Sequence, residues 1–426
     1  MEKLTGNCVV AQSGGPTAVI NASLCGVVQE ASKYPEIKRI YGAHNGILGV
    51  LLEEFYDLTA QPAEKIEALK RTPSAAVGSC RYKLKDPEKS KADYERIMEV
   101  FKAHDVRYFF YAGGNDSMDT ADKLVKLAAE MKYDIRIMGI PKTIDNDLAE
   151  TDHCPGYGSV IKYLATSVME AGRDTESLYT SDTATVFETM GRNAGWIAAG
   201  TALAARSRQD APHLIYLPEV PFSLPKFIED VKGVLRELGR CFIVVGEGLV
   251  DDRGQYVTAQ STGFAVDAFG HRQLGGVGEL LQQVVEKEVG VKCRYNRLGT
   301  CQRQAIHFAS LTDSKEAYMA GVAAVRQAVH GKTGFMISLV RASEDPYKCT
   351  TGLATLRDVA NGEKKVPRNW INAAGNFPGA DFISYARPLI RGEVRIQVGD
   401  DGLPVFVRFE KNFIPKRTGR DYKPGG

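Results

Sequence analysis

Short runs of β-branched and apolar residues return along the chain, each closing on a loop that carries glycine and each followed by a stretch whose apolar positions recur every three or four residues. The first pattern has the length of a buried strand and the second the period of an amphipathic helix. Strands are predicted at Cys8–Ala11, Tyr108–Ala112, Ile135–Ile140, Thr185–Thr189, His213–Leu217, Phe242–Val245 and Phe335–Leu339. Helices are predicted at Val19–Ser32, Ser117–Met131, Ser159–Ala171, Leu224–Leu238, Gly276–Lys287 and Ser314–His330. Strand, glycine loop and helix in alternation predict an α/β fold of two lobes, with mostly parallel sheets flanked by helices and a site between the lobes. The strongest glycine loops fall in residues 1–150, a mixed α/β pattern fills 151–341, and 342–426 is a C-terminal extension rich in proline, glycine and charge. Loop-rich insertions are expected at Thr72–Ser90 and Asp251–Arg272.

Composition narrows the class. A chain of 426 residues that is 44% hydrophobic and 25% charged buries a large core. Its 54 basic and 52 acidic residues leave a net charge of +2, so no global field selects nucleic acid or an anionic membrane, and an anion site must be local. The basic residues of the tail, Lys411, Lys416, Arg417, Arg420 and Lys423, read as a solvated terminus. Eight cysteines lie scattered without CxxC pairs, as expected for reduced core thiols of a cytoplasmic protein. The N-terminal residues lack a signal-peptide pattern, and no run reaches the roughly 18 apolar residues of a membrane span.

The chemistry-bearing residues sit where predicted strands end. Ser13-Gly14-Gly15 follows the first strand, and glycines there let backbone amides approach an anion that a following helix dipole attracts; simple turn chemistry is the alternative. Gly113-Gly114 closes the run Tyr108–Ala112, and Asn115-Asp116-Ser117 opens the next helix. A carboxylate such as Asp116 beside an anion site implies a cation or an excluded ligand, or else an acid placed by the helix dipole. Pro141-Lys142-Thr143-Ile144-Asp145-Asn146-Asp147 follows the strand at 135–140. One acid can take a proton from a hydroxyl, a second can support Mg²⁺, and the lysine can neutralise a transferring phosphoryl group; an Asx-rich turn is the competing reading. Met190-Gly191-Arg192, Glu247 between Gly246 and Gly248, Arg294, Arg303 and Arg81 occupy similar loop positions. Arginines at strand ends suit phosphate recognition, although each alone equally suits a surface ion pair.

Taken together over roughly residues 7 to 330, these segments resemble the phosphofructokinase family, and at two positions its pyrophosphate-dependent branch. The resemblance implies that Asp145 is the base for the C1 hydroxyl of fructose 6-phosphate, with Thr143 beside it and Asp147 near the metal. It implies that Met190, Gly191 and Arg192 contact substrate and transferring group, that Glu247, Arg294, Thr300 and Arg303 stand at sugar-phosphate positions, and that Gly15, Arg81, Gly114 and Lys142 stand at donor positions. The donor lobe would then be 1–150 and the sugar-phosphate lobe 151–341, with a crossing of the chain between the lobes allowed for. ATP-using members have glycine where this chain has Asp116 and Lys142. A carboxylate at 116 repels the α-phosphate of a nucleotide, while Lys142 suits the orthophosphate leaving group of pyrophosphate.

Three positions depart from the family pattern. Asn115 stands at the family's Mg²⁺ aspartate, which shifts metal charge onto Asp116, Asp145 or Asp147; Thr300 replaces a histidine or tyrosine, and Thr183 an arginine that some members supply from a neighbouring subunit. The implied activity is reversible pyrophosphate-dependent phosphorylation of fructose 6-phosphate by a Mg²⁺-requiring homodimer or homotetramer in glycolysis or gluconeogenesis. An ATP-dependent 6-phosphofructokinase and a non-catalytic regulatory subunit that binds sugar phosphate are the rivals.

Overall fold

The computed structural model describes residues 4–82, 84–86, 88–260 and 276–425. Eleven strands form two sheets among the described residues. The strands are β1 (Gly6–Gln12), β2 (Ile37–Ala43), β3 (Phe55–Asp57), β4 (Val106–Gly113), β5 (Arg136–Pro141), β6 (Ala184–Thr189), β7 (Leu214–Tyr216), β8 (Cys241–Gly246), β9 (Cys293–Arg297), β10 (Phe335–Glu344) and β11 (Tyr347–Thr355). The larger sheet runs β11-β10-β5-β4-β1-β2-β3 and the smaller β7-β8-β6-β9. Pairing is parallel except at the edges β2–β3 and β10–β11. This is the two-sheet α/β architecture predicted above.

Helices cover both faces of each sheet, so central strands are buried on both sides and read as continuous apolar runs. Every residue of β1 is buried, and Tyr108 to Gly113 of β4 likewise. Each sheet thus has two cores, one per face. The helix at Leu224–Leu238 matches its predicted bounds, with proline in its first turn and Gly239 ending it in the left-handed conformation. Others differ at their ends. The helix predicted from Ser314 begins at Leu311, because the Ser310 side chain accepts from the Asp313 amide and caps it. The helix predicted at Ser159–Ala171 runs from Tyr157 to Leu178, continuing through a polar, exposed last stretch. The helix predicted at Gly276–Lys287 is α-helical from Val277 to Val284 and closes in a π turn over Val285–Val289.

β10 spans position 342 and pairs with β5, so the chain crosses from the second sheet back to the first where the extension begins. The five basic residues of the tail are exposed, as expected of a solvated terminus, but the segment that carries them is docked. Ile414 N–H donates to Phe55 O at 2.9 Å, Thr418 N–H to Glu53 Oε1 at 3.1 Å, and the Tyr422 hydroxyl to Asp93 at 2.7 Å. Six cysteines are buried, whereas Cys301 is exposed and Cys349 half-buried. Residues 261–275 of the second predicted insertion lie outside the described residues. No helix among the described residues is long and apolar enough to cross a membrane.

In the larger sheet the strand order reverses between β4 and β1, which opens a crevice at their carboxyl ends. The loops after β1, β4 and β5 meet there the loops after β6 and β8 of the smaller sheet.

Candidate active site

The crevice holds a cavity of about 370 Å³ whose walls come from five strand ends, the short helix that carries Arg303, and the segments of Arg81 and Glu363. Ser13, Gly14 and Gly15 form one wall, Gly114, Asn115, Asp116 and Ser117 the next, and Lys142 to Asp145 with Asp147 the floor. The second wall is the amino end of the helix Asn115–Glu130, whose first turn has no side-chain cap, so its amides and dipole are directed at the cavity.

The floor explains the Asp-Asn-Asp string. Asn146 is fully buried, adopts φ +56°, donates to the Tyr385 hydroxyl at 2.9 Å and accepts from the Cys154 amide at 2.9 Å. It is the scaffold. With the Thr143 hydroxyl accepting from the Asp145 amide at 3.1 Å, it turns the chain so that Asp145 and Asp147 both line the cavity. The Asx-turn alternative raised above therefore describes Asn146 and leaves the two acids to the cavity.

Electrostatics follow from enclosure. Lys142 is 4% exposed and donates from Nζ to Gly15 O at 3.0 Å. Burial pulls its pKa down to about 8, and the Asp145 charge offsets part of that fall. Asp145 opens onto the cavity but is desolvated by its walls, which raises its pKa against the pull of Lys142, then Arg192, Arg303 and Arg81. Burial, followed by the Asp145 charge, pushes Asp147 up to about 7. Glu247, across the cavity, also rises to about 7, from burial and then the charges of Asp145 and Glu188. A cavity in which acids resist ionisation and a lysine resists protonation is poised for proton and anion transfer.

The smaller sheet supplies the opposite wall. Met190 N–H donates to Gln302 Oε1 at 3.0 Å. A Cβ at Gly248 would lie 1.6 Å from Arg192 O, so only glycine lets the loops after β6 and β8 close on each other and carry Arg192 and Glu247 to one rim. Arg303 reaches across to the first wall: a Cβ at Gly15 would stand 2.6 Å from its Nη1. Its buried Nε has no hydrogen-bond partner.

Of the residues singled out from sequence, Gly15, Arg81, Gly114, Asn115, Asp116, Lys142, Thr143, Asp145, Asp147, Met190, Arg192, Glu247 and Arg303 line this cavity. Gly191 stands between two of them at φ +115° as a backbone hinge. Two do not join them. Arg294 pairs with Asp174 at 2.7 Å and with Asp182, its side chain 42% exposed. Thr300 is exposed at the start of the short helix Cys301–Gln304. Thr183 is half-buried outside the cavity, its hydroxyl donating to Tyr179 O.

Asn193 and Glu363 line the cavity and were missed. Asn193 follows Met190-Gly191-Arg192 directly and could have been taken with it. Glu363 has no local signal, because it reaches the cavity through backbone pairing of Lys364 with Asp147, 217 positions distant in sequence.

Mg²⁺ fits the donor end. Asn115 Nδ2 donates to Gly362 O at 3.2 Å, while its buried Oδ1 has no partner. With the carboxylates of Asp116 and Asp147 lining the same cavity, this gives the all-oxygen donor set that Mg²⁺ prefers.

Fold and cavity define a two-lobed α/β protein with a polar crevice of opposed acids and cations at a sheet's switch point. The chain matches the Phosphofructokinase family over residues 7–328, and it belongs to that family. It is 45% identical over 415 residues to the pyrophosphate--fructose 6-phosphate 1-phosphotransferase of Xanthomonas campestris, covering 97% of this chain and 98% of that one. It is 43% identical over 413 residues to the Halomonas elongata protein of the same name, covering 96% and 98%. Among solved structures, a pyrophosphate-dependent phosphofructokinase from Marinobacter aquaeolei superposes with a TM-score of 0.88 at 42% identity, covering 98% of this chain and all of that one.

Proposed function

We propose that the chain transfers a phosphoryl group from pyrophosphate to the C1 oxygen of fructose 6-phosphate, giving fructose 1,6-bisphosphate and orthophosphate, reversibly. The observation that carries this reading is the meeting of Asp145, Lys142 and Asp116 in one cavity. The names of the two relatives above support it. Asp145, its carboxylate raised toward neutrality, takes the proton from the C1 hydroxyl. The C1 oxygen then bonds to the nearer phosphorus of pyrophosphate, the bridging P–O bond breaks, and orthophosphate leaves with that electron pair. Lys142 and Arg192 face the charge that develops on the transferring and leaving groups. Glu247 and Arg303 are assigned to the sugar phosphate, and Gly15, Arg81 and Gly114 to the donor. Mg²⁺, held at the Asn115, Asp116 and Asp147 end, would neutralise charge on pyrophosphate oxygens.

Asp116 sets the donor. A nucleotide would carry further phosphate past a carboxylate in a poorly screened crevice, where like charges repel by several kcal/mol, on the order of 4 kcal/mol at 4 Å. Arg294, which stands outside the cavity of its own chain, is retained for the sugar phosphate only in a homodimer or homotetramer, and mass measurement in solution decides between these.

Phosphorus NMR of the protein with pyrophosphate, fructose 6-phosphate and Mg²⁺ tests the reaction. Fructose 1,6-bisphosphate and orthophosphate in equal amounts are expected; hydrolysis of pyrophosphate to orthophosphate alone overturns it.

A pH dependence follows from the cavity. In the free enzyme Lys142 loses its proton near about 8, so kcat/KM for pyrophosphate falls above that pH. Below about 7 it falls again as Asp147 and Glu247 take up protons, and Asp145, whose pKa is also raised by burial, adds to the fall. Lys142→Arg, which stays charged, moves the alkaline fall to higher pH; an unmoved limb refutes the assignment to Lys142.

A further inference from the structure

The C-terminal extension sends one short segment into the cavity, and its placement is fixed at two points. Gly362 O accepts from Asn115 Nδ2 at 3.2 Å, and Lys364 N–H donates to Asp147 O at 2.8 Å. The residue between these pins is Glu363, whose side chain lines the same cavity. Further anchors hold the segment rigidly. Lys364 Nζ donates to Thr151 O at 3.0 Å and Asp152 O at 2.7 Å, Trp196 Nε1 donates to Lys364 O at 2.9 Å, and Val366 N–H donates to Glu219 Oε1 at 3.0 Å. A surface loop needs no such anchoring. It is the means of holding one residue at a defined place.

Chemistry gives that residue a task. Asn115 presents a buried amide oxygen with no hydrogen-bond partner, and its nitrogen is already committed to the strap. An amide oxygen can ligate Mg²⁺ but brings no charge, and a site with fewer carboxylates holds the ion more weakly. Glu363 lies between the backbone partners of Asn115 and Asp147, so its carboxylate is delivered where the amide leaves charge lacking. It forms an ion pair with Lys365 at 3.8 Å, beyond hydrogen-bond distance, and both side chains are partly exposed. That pair is worth little and does not explain the strap.

We propose that Glu363 is the carboxylate that completes the divalent-cation site of the donor end, standing in for the charge that Asn115 lacks, so that the C-terminal extension is part of the catalytic site. The inference rests on the phosphotransferase reading above and adds to it a residue from outside the segments that carried that reading.

The test is Mn²⁺ binding by the full-length protein in the presence of pyrophosphate, read by electron paramagnetic resonance, which does not depend on turnover. Glu363→Gln is expected to weaken Mn²⁺ binding about 10-fold with an unchanged melting temperature, and Glu363→Asp to weaken it only about 3-fold. Mn²⁺ binding by Glu363→Gln equal to that of the unsubstituted protein overturns the assignment, and so does a loss with Glu363→Asp as large as with Glu363→Gln. The two failures are separable. An unsubstituted protein that does not turn over pyrophosphate sinks the phosphotransferase reading, whereas normal turnover with indifferent Glu363 variants sinks only the role of Glu363.

Discussion

Asp145→Asn lowers kcat with pyrophosphate and fructose 6-phosphate by about 10³-fold, with KM for either substrate changed by no more than about three-fold. Asparagine keeps the size of the side chain and leaves the Asp145 amide bond to Thr143 intact, but it cannot take the C1 proton. A second effect separates loss of the base from simple disturbance. Asp145 is the largest influence holding up the pKa of Lys142 against burial. Its neutral replacement moves the lysine further down, so the residual activity of Asp145→Asn declines at lower pH on the alkaline side. A variant that keeps more than about one tenth of normal kcat shows that another group is the base.

The second large effect is a change of donor. Asp116→Gly raises kcat/KM for ATP by about 10-fold or more, because the carboxylate that repels the nucleotide's additional phosphate is gone. Lys142→Gly lowers kcat/KM for pyrophosphate by about 10²- to 10³-fold, because the leaving orthophosphate loses its nearest cation. The double variant is expected to invert the donor preference. Lys142 also pins the first wall through Gly15 O, so Lys142→Met, which restores bulk without charge, shows how much of the loss belongs to position. An ATP rate unmoved by Asp116→Gly removes the exclusion role. Steady-state kinetics with both donors at fixed Mg²⁺ reads all of these.

How much of this was legible beforehand depended on how local each cause is. The central strands β1 and β4 are buried on both faces, so their apolar runs are unbroken and announce themselves. The strands β2, β3, β9 and β11 were not seen. β2 has two exposed polar residues after its first, β9 is Cys-Arg-Tyr-Asn-Arg and mostly half-buried, and β11 has exposed polar residues along a hairpin; none presents a continuous apolar run. The loops after β1, β4 and β5 could be found because glycine pairs and clustered acids at strand ends have few other reasons to occur.

The division of labour inside the Asp145-Asn146-Asp147 string could not be read, since it depends on Tyr385 and Cys154, which only the fold brings to Asn146. Arg294 is a different case. Its position in a recognisable segment placed it at the sugar phosphate, while within its own chain the fold turns its side chain toward Asp174 and Asp182. Glu363 lies beyond the reach of local pattern, because its place is set by the backbone bond of its neighbour Lys364 to Asp147.

The most direct test compares the two donors. Purified protein with fructose 6-phosphate and Mg²⁺ is supplied in parallel with pyrophosphate or ATP, and kcat/KM is measured for each. With Asp116 and Lys142 in place, pyrophosphate is expected to exceed ATP by about 100-fold or more. Robust turnover of ATP with none of pyrophosphate would contradict the proposed donor and the roles given to both residues.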